Sequence, residues 1–133
     1  MLKARQGKEI VVRANNEIGA LADLSKILAE KGVNVLAMSC WVEEDEAVIR
    51  LVTDDILRSV DALKAGGYDP QEKSVVLVEA PHRPGILRHL TDVLSREQID
   101  LTHLFGSATI NQDVFLVVLN STQNERAIVL LND

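Results

Sequence analysis

Two short loops hold the residue types best suited to binding chemistry. They are Asn15-Asn16-Glu17-Ile18-Gly19-Ala20-Leu21 and Pro81-His82-Arg83-Pro84-Gly85-Ile86-Leu87. Each leads from an apolar run into a segment with helical spacing. The first N–H groups of such a helix have no intrahelical partner and can seat a carboxylate, while the glycine lets a ligand come close to the backbone. Asn15 and Asn16 offer side-chain amides, Glu17 offers a charge for an ammonium group, and His82 offers an imidazole. Together these groups suit a small zwitterion. The same residues admit a purely structural reading, in which Asn15 or Asn16 caps the helix and Gly19 only permits the turn.

Other reactive residues lead nowhere chemical. His82, His89 and His103 fall in the second half with Asp92 and Asp100 nearby, but no short His or Cys spacing of a zinc site is present. Cys40 lies in a predicted strand and reads as a half-buried structural thiol. Glu43-Glu44-Asp45-Glu46 reads as a solvated hairpin tip, since no glycine alternates with ligands as in a calcium loop. Lys64 to Gly67 carries no phosphate-loop pattern and GxGxxG is absent, so no nucleotide is expected. With no paired acid and base, activated nucleophile or metal cluster, the expectation is a protein that is not an enzyme and has no cofactor and no metal.

Composition narrows the partners. Lys and Arg number 14 against 20 Asp and Glu, and the basic residues form no run, so nucleic acid is not expected as a partner. Aromatic residues make up only 3%, which disfavours a stacking pocket and leaves serine, glycine or a branched aliphatic amino acid as the preferred ligand. The single cysteine excludes an internal disulfide and suits a reducing, cytoplasmic setting. Near the N-terminus the apolar stretch Ile10 to Val12 is too short for a signal core or a span, so no membrane association is expected.

The elements that position the loops occur twice. A shift of 66 positions lays Ile10–Asp54 on Val76–Asn120 without a gap, with eight identities that include Gly19/Gly85, Leu24/Leu90, Leu28/Leu94, Val48/Val114 and Val52/Val118. Apolar runs at Ile10–Val12 and Val75–Val78 read as buried strands. Leu21, Leu24, Ile27 and Leu28, and then Leu87, Leu90, Val93 and Leu94, recur at helical spacing, and Gly32 stops the first helix. Val33–Val42 and Ile99–Ala108 read as strands, followed by turns at Glu43–Glu46 and Asn111–Asp113. Ala47–Val52 and Val114–Leu119 read as central strands covered on both sides. A second helix spans Asp55–Ala65, with Asp54 as N-cap, the stripe Ile56, Val60 and Leu63, and Gly66 as stop; Glu125–Leu131 is its counterpart. The order β-α-β-β-α-β is the split βαβ, ferredoxin-like arrangement, α+β in class, with antiparallel sheets and helices on one face. The link from Tyr68 to Ser74 must hold the last strand of the first module, and the second module reads as C-terminally truncated.

His82-Arg83-Pro84-Gly85-Ile86-Leu87 closely resembles the Asp-Arg-Pro-Gly-x-Leu signature of ACT domains, regulatory modules that bind amino acids or other small effectors. Gly32-Val33-Asn34-Val35 is similar to the Gly-Ile-Asn-Ile that opens the family's second strand, and Asn124-Glu125-Arg126-Ala127-Ile128 resembles the start of its second helix. The resemblance covers both halves and is nearest to free-standing tandem ACT proteins with no attached catalytic domain. It implies two ACT-like modules, residues 1–72 and 73–133. It further implies that a free amino acid binds at the loop between first strand and first helix, at a module or subunit interface. The contacts it implies are Asn15, Asn16, Ile18, Gly19, Ala20 and Leu21 in one module and His82, Arg83, Pro84, Gly85, Ile86 and Leu87 in the other. The first module departs from the signature with Asn16-Glu17-Ile18, and the second has His82 for the aspartate, so the two sites need not be equivalent. A homodimer is expected, because an incomplete second sheet leaves an edge for a twofold partner. The alternative is a regulatory subunit that assembles with a metabolic enzyme and binds no ligand itself.

Overall fold

The structure is a computed structural model that describes residues 2–108 and 113–133. Its elements are β1 (Lys3–Asn15), α1 (Ala20–Glu30), β2 (Val35–Glu43), β3 (Glu46–Thr53), α2 (Ile56–Ala65), β4 (Gln71–Pro81), α3 (Ile86–Arg96), β5 (Leu101–Ala108), β6 (Val114–Ser121) and α4 (Asn124–Asn132). They form two compact units, Lys8–Lys73 and Met1–Gly7 together with Ser74–Asp133, here the first and second unit. By this division Leu2–Gly7 go with the second unit and Lys73 with the first.

In the first unit β3 pairs antiparallel with β1 (Val12 opposite Ile49) and with β2 (Cys40 opposite Ile49). The start of β4 lies beside β1. Alternation sends Ile10 and Val12 of β1 and Ile49 and Leu51 of β3 to one face, where Leu24 and Leu28 of α1 and Val60 and Leu63 of α2 cover them. Val48 and Val52, on the opposite face of β3, are buried too, as expected of a central strand. That face also buries Glu9, fully enclosed and held by the Arg50 guanidinium at 2.7 Å, with Arg50 in turn 5.7 Å from the Trp41 ring centre. A carboxylate so enclosed depends on its partner, since removing one half of a buried pair strands a charge.

The second unit repeats the pattern with β6 between β4 and β5, and α3 and α4 covering Val76, Val78, Val117 and Leu119. The position that β4 holds beside β1 in the first unit is filled here by the start of β1, Lys3–Gly7. Leu2 and Ala4 enter the core with Ala127 and Leu131. The Asn132 side chain clasps the strand at both backbone groups of Ala4, accepting from its N–H and donating to its carbonyl at 2.8 Å each. The place expected for a last strand of this unit is thus filled from the N-terminal side. The sheet edge on which a homodimer was expected is occupied.

The gapless overlay needs one correction. Val12 pairs with Ile49, whereas Val78, its counterpart, pairs with Val117, which is 68 positions beyond Ile49. Two more residues separate Ala108 from Asp113 than separate Val42 from Asp45, so β6 matches β3 at a shift of 68. The Val48/Val114 and Val52/Val118 identities are therefore not structural equivalents. A slip of two preserves which side chains face the core, which is why the pattern concealed it. The expected turn at Asn111–Asp113 lies outside the described residues except for Asp113.

Smaller differences have local causes. The cap of α2 is Asp55, whose carboxylate accepts from the Arg58 N–H at 3.0 Å. Asp54 instead accepts from the backbone and side chain of Asn34 at 3.0 and 3.1 Å. β1 and β4 run well past the apolar runs that announced them, because their outer residues bury one face or none. Cys40 is exposed rather than half-buried, since β2 is an edge strand with little covering it. Among the described residues no helix is long and apolar enough to cross a membrane.

Asn132→Ala is expected to destabilise the chain by about 1–3 kcal/mol, because two partly buried backbone groups of Ala4 lose their partner. Urea melts would read this against Val129→Ala, a side chain 69% exposed, which should change little.

Candidate functional site

Both candidate loops are shaped by their backbones. Asn16 N–H donates to the Asp45 carbonyl at 2.9 Å, and its counterpart His82 N–H donates to the Asp113 carbonyl at 2.8 Å, so each loop is tied to the tip of its own hairpin. Gly19 (φ 90) and Gly85 (φ 88) are the N-cap positions of α1 and α3, both left-handed and neither helix capped by a side chain. The capping reading of Asn15 and Asn16 is set aside by that geometry. A Cβ at either glycine would meet nothing within 4 Å, so a substitution there is opposed by the positive φ alone.

In the first unit the loop borders a cavity of about 560 Å³. Of the residues singled out in the sequence, Asn15, Ile18, Gly19 and Ala20 line it; Asn16 and Leu21 do not. Ile18 is fully exposed. The sequence did not single out Arg13, Asp23, Tyr68 and Asp69, which also line the cavity, and had noted Glu17 only as a charge for an ammonium group. Arg13 comes from the end of β1 and lies 3.3 Å from the Glu46 carboxylate and 3.6 Å from that of Glu43. Asp23 comes from the first turn of α1. Tyr68 and Asp69 arrive from the link after α2, where Gly67 (φ 92) turns the chain and Tyr68 N–H donates to the Leu63 carbonyl at 3.0 Å. The Tyr68 hydroxyl donates to the Asp23 carboxylate at 2.7 Å. The Ala20 N–H donates to the Glu17 carbonyl at 3.2 Å, which leaves the Leu21 and Ala22 N–H groups at the start of α1; these and the Arg13 guanidinium favour an anionic group, and the three carboxylates favour a cationic one.

The second loop has the same backbone and different surroundings. His82, Arg83, Pro84 and Leu87 are exposed, while Ile86 is buried in the core. The His82 ring lies 6.2 Å from that of Phe115. No group of three or more His, Cys, Asp or Glu gathers to hold a metal among the described residues.

The Tyr68 phenol is pushed up from 10.0 to about 12, first by its hydrogen bond to Asp23, then by burial and by the charges of Asp23 and Glu17. The fold holds this proton more tightly than the unfolded chain does. Its contribution to stability is therefore full below pH 10 and is lost as pH rises through about 12. Ultraviolet titration is unambiguous because Tyr68 is the single tyrosine. A midpoint about 12 is expected, moving down towards 10.0 in Asp23→Asn; a midpoint near 10.0 in the unsubstituted chain would break the Tyr68–Asp23 assignment.

Known proteins agree with this architecture. The ACT domain family model matches residues 8–65. Among curated proteins, none matches the chain in sequence. The solved structure of protein BT0572 from Bacteroides thetaiotaomicron is similar with a TM-score of 0.90 and 24% identity, over 97% of this chain and 88% of that one. The ligand-free regulatory subunit of aspartate kinase from Thermus thermophilus is similar with a TM-score of 0.71 and 12% identity, over 98% and 94%. That from Thermus flavus gives 0.64 and 14%, over 99% and 94%. At these identities the likeness is one of fold. Residues 8–65 thus match the ACT domain family, and the likeness in fold to these solved structures extends over nearly the whole chain.

Proposed function

We propose that this protein is a regulatory, non-enzymatic binder of a free amino acid, seated in the first-unit cavity beside the start of α1. The observation that carries the reading is the pairing of an uncapped helix start with three carboxylates and a guanidinium around one cavity of about 560 Å³. That volume lies within the range of ordinary ligand pockets. An α-carboxylate suits the N–H groups of α1, and an α-ammonium suits Glu17, Asp23 or Asp69. The Tyr68 hydroxyl beside Asp23 keeps its proton to about 12 and is thereby a poor nucleophile, which favours binding over turnover. The second loop, with His82 to Leu87, is a second seat of different selectivity.

Both units act as ACT-like modules in this reading, in the cytoplasm, where the exposed Cys40 stays reduced. The chain works as a homodimer. The edge strand β2, with Val35, Leu36, Met38 and Val42 exposed, and the bare Ile18 side chain supply surface for a twofold partner. Ligand binding regulates by favouring one packing state over another, which requires unequal affinity for the two.

The fold likeness to aspartate kinase regulatory subunits favours a second reading, assembly with a metabolic enzyme and no ligand. A thermal-shift screen of the twenty amino acids separates the two. A ligand at a hundred times its dissociation constant adds about 2.7 kcal/mol of stability, and such a shift is expected for at least one amino acid. No shift with any of them would leave the assembly reading.

A further inference from the structure

We infer that the first-unit cavity selects an amino acid whose side chain carries its own positive charge, an ammonium or a guanidinium. The inference rests on the amino-acid-binding reading above and goes beyond it in naming the ligand's charge. Around the cavity stand the carboxylates of Glu17, Asp23 and Asp69 against the single guanidinium of Arg13. Arg13 is itself drawn to Glu43 and Glu46 at 3.6 and 3.3 Å, which weakens its hold on a ligand. A zwitterion with a neutral side chain offers one ammonium against three carboxylates, of which Asp23 and Asp69 otherwise accept only neutral donors, the Tyr68 hydroxyl and the Gln71 amide. A second cationic group answers that excess, and because Glu17, Asp23 and Asp69 are exposed the attraction is screened by salt.

The chain contains its own comparison. At the positions equivalent to Arg13, Glu17 and Asp23, the second unit has Glu79, Arg83 and His89. Its loop nevertheless keeps the same left-handed glycine, the same uncapped helix start and the same bond to the hairpin tip. The acidic groups of the first unit are therefore not required to build the loop or to start the helix. Glu17 can serve what enters the cavity, and so can the Asp23 carboxylate beside the bond it accepts from the Tyr68 hydroxyl. Asp69 and Tyr68 reach it from a different segment, the link after α2, so the negative character is assembled from separate parts of the fold.

Calorimetric titration of the full chain with lysine, ornithine, arginine, norleucine and glutamate tests this. Norleucine has the length of lysine without its charge. Binding of at least one of the three cationic amino acids is expected, tenfold or more tighter than norleucine or glutamate, and weakening with added salt. Asp69→Asn and Asp23→Asn should each lower that affinity fivefold or more with the melting curve retained, while Glu125→Gln, in the second unit, should not. Should Asp23→Asn fail to fold, Asp69→Asn decides alone. Norleucine or another neutral amino acid binding as tightly as the cationic ones would overturn charge selection and leave amino-acid binding standing. No binding by any amino acid would overturn both.

Discussion

The open edge of β4 is the constraint on which the second unit depends. A strand edge inside a small sheet presents N–H and carbonyl groups that must find partners, and this one finds them in Lys3–Gly7. Three things follow in that unit. Leu2 and Ala4 close the core over Ala127 and Leu131, Asn132 fixes the strand from the end of α4, and Gly7 leaves room for Leu77, whose Cδ1 would lie 2.6 Å from a Cβ there. The same strand continues to Asn15, where the cavity loop of the first unit begins. Errors in the register of β1 would thus damage a core at one end and misplace Arg13 and Asn15 at the other.

The duplicated loops show backbone and side chains under different controls. Asn16 and His82 share no chemistry, yet each donates its N–H to the hairpin tip, and Gly19 and Gly85 share φ within 2°. Arg58 and Arg126 each donate to the carbonyl just after the first helix of their unit, at Lys31 and Glu97, both at 3.1 Å. What repeats is what builds the unit. The charges at the loops, in contrast, are close to reversed, and they are the groups a ligand would meet.

Much of this was legible. The stripes Leu24/Leu28 and Leu90/Leu94, the stop at Gly32 and the apolar centre of β3 fixed the order of elements, because periodicity reports burial directly. The N-terminal half of β1 was not read as a strand. Lys3, Arg5 and Lys8 break its apolar run, and before Glu9 only Ala4, with Leu2 just ahead of the strand, is buried. The two-residue slip in β6 was invisible to a pattern of period two. At the cavity, the loop was legible from Gly19, but Asp23 looked like an ordinary first-turn acid, and Tyr68 and Asp69 belonged to a link with no periodicity. The turn signal at Gly66-Gly67 marked where that link bends, and the single tyrosine just beyond it was the available clue.

The uncapped start of α1 ties binding to the fold. A Ser, Thr, Asp or Asn cap contributes typically about 1 kcal/mol to a helix, and α2 takes that contribution from Asp55. At α1 a left-handed glycine stands at the cap position and supplies no side chain. Ala20 N–H donates to the Glu17 carbonyl at 3.2 Å, which leaves the N–H groups of Leu21 and Ala22, and a bound carboxylate would do for them what Asp55 does for α2. In the proposed reading, a ligand in that seat would stabilise α1 itself, along with the Asp23 carboxylate on its first turn and the Tyr68 hydroxyl bonded to it. Binding there would be felt by the helix, the link after α2 and the end of β1 together, which is the physical basis on which so small a site could alter the behaviour of the whole unit.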